Sequence, residues 1–147
     1  MIVIFDIDGT IANCSHRLHL IADNPKQWDK FHAECVNDKP IERILELLQA
    51  VRDDQDRKIV FVTTRPYSSE DATRHWIKTH TGLVSSYQIF MRKDGDYRPD
   101  DIIKLEILER ENIKPEEVLF IVEDRKRVVD AYRKAGYTVL QCADGDY

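Results

Sequence analysis

The sequence predicts an α/β domain, a mostly parallel five-stranded sheet with helices on both faces. Three observations predict it. Five short apolar runs alternate with four stretches of helical periodicity. The links between them are short, as βαβ crossovers require. The first run, Ile2 to Phe5, is apolar without alternation and ends in acids, as a strand buried on both faces would.

The elements follow in order. After the first strand, Pro40 to Val51 carries Ile41, Ile44, Leu45, Leu47, Leu48 and Val51 at helical spacing, with Pro40 suited to the first turn and Asp53 and Asp54 closing it. Lys58 to Val62 is the second strand. A helix capped by Ser68 or Ser69 runs to about His80, with Gly82 to end it. Tyr87 to Met91 is the third strand, and Arg92 to Asp100 is a polar loop with Gly95 and Pro99. Asp101 opens a helix with Ile102, Ile103, Leu105, Ile107 and Leu108. Val118 to Val122 is the fourth strand, Arg125 to Ala135 a helix stopped by Gly136, and Thr138 to Leu140 the fifth strand. Residues 11–39 break this rhythm. They read as a small helical insertion over the site, within a single domain covering 1–147.

Composition removes several classes of function. The chain of 147 residues can bury a core without disulfides or a structural metal. Its 42% hydrophobic and 33% charged residues are those of a soluble globular protein. No apolar run approaches a membrane span, and Met1 to Phe5 has no basic segment before it, so it does not read as a signal peptide. Three dispersed cysteines predict reduced thiols and a cytoplasmic location. A net charge of −5 disfavours nucleic-acid binding by bulk basicity, though not a local basic pocket.

In a parallel sheet, ligands bind beyond the carboxyl ends of the strands. The residues there are Asp6-Ile7-Asp8-Gly9-Thr10 after the first strand, Thr63-Thr64-Arg65 after the second, and Glu123-Asp124-Arg125 after the fourth. Lys104 lies one turn into the helix behind the polar loop. Gathered carboxylates repel unless a cation joins them, and an all-oxygen acid cluster suits a hard divalent ion, with Mg²⁺ the expected one. Lys104, Arg65 and Thr63 suit a phosphate dianion. One acid could attack phosphorus, and a second, two residues on, could handle the leaving-group proton once the chain turns at Gly9. Singly, each feature also reads as a turn, a loop start, a solvated lysine or a helix-dipole partner. Together they need four coincidences on one rim.

These residues resemble the haloacid dehalogenase (HAD) superfamily of aspartate-nucleophile phosphatases, across Met1 to about Tyr147. The resemblance implies a three-layer α/β/α sandwich with strand order 5-4-1-2-3 and a minimal helical cap. It implies Asp6 as nucleophile and Asp8 as acid/base. It also implies Thr63, or alternatively Thr64, as phosphoryl ligand and Lys104 as the lysine of the motif. The metal would lie on Asp6, the Asp8 backbone carbonyl and Asp124, with Glu123 second or through water.

A narrower resemblance, to the 3′-phosphatase domain of phage-type polynucleotide kinase-phosphatases, lies in three segments. They are Met91 to Asp100 with Lys104, Glu123-Asp124-Arg125 with Val128 and Val129, and the ending Gln141 to Tyr147. No P-loop GxxxxGK[ST] occurs, so no kinase activity is expected of these residues. The substrate expected is a phosphomonoester at a nucleic-acid 3′ end or on a nucleotide. Thr10, Thr64, Arg65, Arg92, Arg98 and Arg125, with Lys93, would surround it. Arg125, Lys126 and Arg127 oppose a helix dipole in a first turn, which a nearby anion would offset. His16, Arg17, His19 and Trp28 could cover a base by stacking, or Trp28 and Phe31 could simply anchor the insertion.

A small-molecule phosphatase or nucleotidase is the alternative with the same chemistry. A phospho-accepting receiver domain disagrees with the sequence, because its phosphorylated aspartate follows the third strand, which here ends in Met91-Arg92. A binding module without activity finds no lost motif position to support it.

Overall fold

Strand β1 (Ile2–Phe5) lies at the centre of the sheet, with Val3, Ile4 and Phe5 fully buried. The structure is a computed structural model that describes residues 1–145; Asp146 and Tyr147, at the far end of the narrower resemblance, lie outside the described residues. Strands β2 (Ala12–Asn13) and β3 (Lys39–Pro40) pair antiparallel as a separate two-stranded ribbon. The main sheet adds β4 (Lys58–Pro66), β5 (Tyr87–Arg92), β6 (Val118–Arg125) and β7 (Val139–Gly145). Its order is β5-β4-β1-β6-β7, all parallel. Counting the core strands alone, this is the 5-4-1-2-3 order that the resemblance implies.

Because side chains alternate along a strand, β1 feeds two cores. Val3 and Phe5 pack with Leu48, Phe61, Trp76 and Ile77; Ile4 packs on the other face with Val60, Ile103, Ile107, Val128 and Tyr132. The first face is covered by α3 (Glu42–Asp53) and α4 (Glu70–Thr81), the second by α5 (Asp100–Arg110) and α6 (Lys126–Lys134). This is the three-layer sandwich expected.

Several boundaries differ from the sequence reading. Pro40 belongs to β3, and α3 begins two residues later. Tyr67–Ser69 is a short 3-10 turn; Ser69 precedes α4 without a side-chain capping bond. Helix α5 opens at Asp100 after Pro99. Strand β7 runs five residues beyond Leu140, to Gly145. Two differences matter for the site. Strand β4 continues through Thr63, Thr64 and Arg65, and β6 through Glu123, Asp124 and Arg125, so these residues end strands instead of following them. Both strands lose regular register there, between Val62 and Pro66 and between Glu123 and Arg125, which frees the backbone to aim side chains into the site.

The insertion holds short helices α1 (His19–Ala22) and α2 (Trp28–Ala33), with 3-10 turns at Ser15–Arg17 and Glu34–Asn37. The β2–β3 ribbon ties its two ends together. Among the described residues no helix is long and apolar enough to cross a membrane.

Candidate active site

The register of β1 sets the site. Phe5 pairs with Phe61 on one side and Val122 on the other, so the next residue, Asp6, lies level with Val62 and Glu123. The Asp6 amide donates to the Val122 carbonyl at 3.0 Å, which fixes it to β6. Asp6 continues the face of Ile4 and therefore meets α5. Lys104 Nζ donates to Asp6 Oδ1 at 2.6 Å and to Glu123 Oε2 at 2.7 Å. Thr10 Oγ1 lies 3.3 Å from both Asp6 Oδ2 and Asp124 Oδ1 and shares its one proton between them. All five residues are buried.

Carboxylate oxygens of Asp6, Glu123 and Asp124 lie within 4.8 Å of one another. Burial, with Glu123 adding to it, pushes the Asp6 carboxyl well above the usual carboxylate range; burial also raises the Glu123 carboxyl. Burial alone would lower the Lys104 ammonium, but Asp6 and Glu123 outweigh it and hold the lysine protonated. Asp6 and Glu123 share one ammonium, and Asp124 stands beside them. That donor set, all hard oxygens, fits a divalent cation.

Gly9, at φ 84°, turns the chain after Asp8 in a conformation that glycine adopts without strain. Asp8 consequently faces away from the acid cluster. Arg65 Nη2 donates to Asp8 Oδ1 at 2.6 Å, and so does Arg17 Nη2. Burial would raise the Asp8 carboxyl, but Arg65 and Arg17 overcome it and hold the group ionised, well below the usual range. The Asp8 carboxylate is thus committed to guanidiniums.

Asp8 opens onto a cleft of about 1190 Å³ between the insertion and the polar loop. Thr64, Arg65, Arg92, Arg98 and Arg125 line it, as does Lys93. One expectation is corrected here: Thr10 is fully buried between two carboxylates and does not line the cleft. Thr63 is buried as Asp6 and Lys104 are, and its Oγ1 accepts from the Arg65 amide at 3.2 Å. The cations of the rim are paired. Arg92 and Arg125 both donate to Asp100, Arg98 is held by Asp96 and Glu106, and Arg127 by Asp101. Arg125 ends β6 and is the N-cap residue of α6, with Lys126 and Arg127 in the first turn.

Of the residues read as a stacking cover, Trp28 lines the cleft, stacked on His32 with ring centroids 5.9 Å apart. Burial pushes His32 down to about 4, so it is neutral near pH 7. Arg17 turns inward instead, onto Asp38, and the partly exposed His16 contacts the same carboxylate. Sequence reasoning misses Asp38. A lone acid in an aperiodic insertion carries no local signal, and its partners Trp76 and Arg65 are far along the chain.

A parallel sheet in this order, with acids at the ends of its two central strands and a lysine from α5 between them, defines a HAD-type phosphatase. Within that class the chain belongs to the family described as the polynucleotide kinase PNKP phosphatase domain, whose family model matches residues 1–147. A protein of Autographa californica nuclear polyhedrosis virus, named as a bifunctional polynucleotide kinase/RNA ligase, is 27% identical over 127 residues, covering 86% of this chain and 17% of the viral protein. A chain in the solved Pnkp1/Rnl/Hen1 RNA repair complex is similar at TM-score 0.78 and 26% identity, covering 99% of this chain and 43% of that one. A predicted phosphatase from Clostridium acetobutylicum shares the fold at TM-score 0.68 and 17% identity, over 95% of this chain and 83% of its own. The chain therefore spans less than half the length of its polynucleotide-repair relatives.

Proposed function

We propose that this domain is a Mg²⁺-dependent phosphomonoesterase that removes 3′-phosphates from polynucleotide ends. One observation carries the reading: the Asp6–Lys104–Glu123 cluster adjoins, through Asp8, a large cleft lined by more cations than acids. Among the described residues that cleft is lined by seven Lys or Arg against five Asp, in a protein of net charge −5. A cleft of about 1190 Å³ is far larger than one phosphate needs and suits a chain end. The names of the relatives point the same way.

In this reading Asp6 attacks phosphorus, the bond to the leaving 3′-oxygen breaks, and Asp8 gives that oxygen its proton. Asp8 then takes a proton from the water that hydrolyses the aspartyl phosphate. Arg17 and Arg65 hold Asp8 ionised in the free domain. An arriving phosphate dianion draws on the same guanidiniums and lifts Asp8 toward its protonated form. Lys104 stabilises the transferring oxygens. Thr63 Oγ1 accepts from the Arg65 amide and so keeps its own proton to donate to one of them. Asp6, Glu123, Asp124 and the Asp8 carbonyl would hold Mg²⁺, which supplies charge neutralisation at the phosphoryl oxygens.

Phosphate release tests the reading, measured with and without Mg²⁺ on 3′- and 5′-phosphorylated oligonucleotides and on 3′- and 5′-mononucleotides. The 3′-phosphorylated oligonucleotide is expected to be the preferred substrate, with activity lost in chelator and falling steeply with salt. Preference for a mononucleotide would make the domain a nucleotidase.

Gly145 offers a second check. A Cβ built there would lie 2.4 Å from Asp124 Oδ2 and 3.0 Å from the Arg125 Cα, so a side chain must displace the carboxylate. Gly145→Ala is expected to raise the Mg²⁺ concentration needed for half-maximal activity by about 10-fold or more. An unchanged Mg²⁺ titration would take Asp124 out of the metal site.

A further inference from the structure

We propose that Asp38, contributed by the insertion, is a positioning residue that anchors Arg17 and Arg65 so that together they aim the Asp8 carboxylate into the cleft. The inference rests on the acid role assigned to Asp8 above.

Asp38 is buried, with no exposed side-chain surface, and does not line the cleft. Its carboxylate meets three side chains. Arg17 Nε donates to Oδ1 at 2.8 Å and Arg17 Nη2 to Oδ2 at 2.7 Å, a two-point grip that sets the plane of the guanidinium. Arg65 Nη2 donates to Oδ2 at 2.9 Å, and His16 Nε2 contacts Oδ1 at 2.8 Å. The same Nη2 atoms of Arg17 and Arg65 each reach Asp8 Oδ1 at 2.6 Å. Each guanidinium therefore bridges the two carboxylates, and Asp38 stands behind both.

The remaining contacts show what each partner is tied to. The backbone carbonyl of Asp38 accepts from Trp76 Nε1 at 2.7 Å, which fixes Asp38 to α4 of the core. Arg65 Nη1 donates to Thr73 Oγ1, also on α4, at 3.2 Å. Arg17 Nη1 donates to the Phe31 carbonyl at 3.1 Å, and its guanidinium sits 4.2 Å from the Phe31 ring centroid. Asp38 thus joins a guanidinium from the insertion to one from β4. Two buried guanidiniums facing Asp8 alone would be a surplus of charge without a fixed geometry; two carboxylates balance and orient them.

The test uses leaving groups. A 3′-nucleotide oxygen needs a proton to depart, whereas the phenolate of p-nitrophenyl phosphate does not. Asp38→Asn keeps the size and one acceptor but removes the charge. It is expected to lower kcat on a 3′-phosphorylated oligonucleotide roughly 100-fold and kcat on p-nitrophenyl phosphate by less than about fivefold. KM should stay within about threefold of the parent value on both. Asp8→Asn is the reference and should discriminate in the same direction, more strongly.

Parallel losses on the two substrates, or no loss on either, would overturn the positioning role of Asp38 while leaving Asp8 as the acid. Equal losses in Asp8→Asn itself would overturn the acid role and this proposal with it. If Asp38→Asn does not fold, His16→Ala serves, since it removes one bond to Asp38 from a side chain 38% exposed. It should show the same substrate pattern at smaller amplitude, and an unchanged ratio of the two rates would overturn the proposal.

Discussion

Replacing Asp6 by Asn is expected to abolish phosphate release while leaving the domain folded, and more stable than the parent in chelator near neutral pH. The loss of activity should be about 10⁴-fold or more, the scale seen when a nucleophile is removed. The stability gain follows from charge. Asp6, Glu123 and Asp124 crowd oxygens within 4.8 Å, and Lys104 supplies one ammonium to the first two. Burial and Glu123 raise the Asp6 carboxyl, so without metal the folded state binds a proton more tightly than the unfolded state does. Stability therefore falls as pH rises from the ordinary carboxylate range through the raised value. Asn carries no such penalty. Its advantage should appear at neutral pH, vanish below about pH 4, and shrink when Mg²⁺ is bound to the parent. Thermal unfolding in chelator across pH measures this. A large loss of stability in Asp6→Asn at pH 7 would mean that the Asp6–Lys104 pair stabilises the fold outright.

Lys104→Met has the opposite signature. The side chains are similar in length, but the variant leaves Asp6 and Glu123 buried without their ammonium. Breaking a buried pair by removing one partner costs about 3–5 kcal/mol. Urea unfolding in chelator should show that loss. Saturating Mg²⁺ should restore more stability to Lys104→Met than it adds to the parent, because the cation replaces the missing charge. Activity should remain low even with Mg²⁺, because no ammonium reaches the transferring oxygens. Equal Mg²⁺ stabilisation of the two proteins would separate Lys104 from the metal cluster.

Both variants bear on the part of the site that is legible in the residues alone. Asp6, Asp8, Glu123 and Asp124 stand at the ends of apolar runs, so topology brings them to one rim. Lys104 is legible from its position one turn into a helix. Direction is not legible. Strand periodicity would put Asp6 and Asp8, two residues apart, on one face; only the turn at Gly9 shows Asp8 facing Arg17 and Arg65 instead. Thr10 reads as facing substrate because a hydroxyl near a phosphate site suits it, yet burial commits it to Asp6 and Asp124. Thr63 lies where β4 loses its register, so strand alternation does not say which way it points. The arginines of the rim are visible as charges, whereas their pairing through Asp100 joins α5 to β5 and β6. Asp38 gives no signal at all, since its partners lie 21, 22, 27 and 38 residues away in the chain.

If Asp6 is the nucleophile, it carries a phosphoryl group during turnover. Acid quench of Asp8→Asn mixed with Mg²⁺ and p-nitrophenyl phosphate, whose phenolate departs without the acid while the hydrolysis step still lacks its base, followed by peptide mass spectrometry, tests this directly. One added phosphoryl group is expected on the peptide carrying Asp6, and none in a variant that also carries Asp6→Asn. Dephosphorylated product appearing with no phosphoryl on Asp6, or with it on another residue, would remove Asp6 from the nucleophile's role and the covalent mechanism with it.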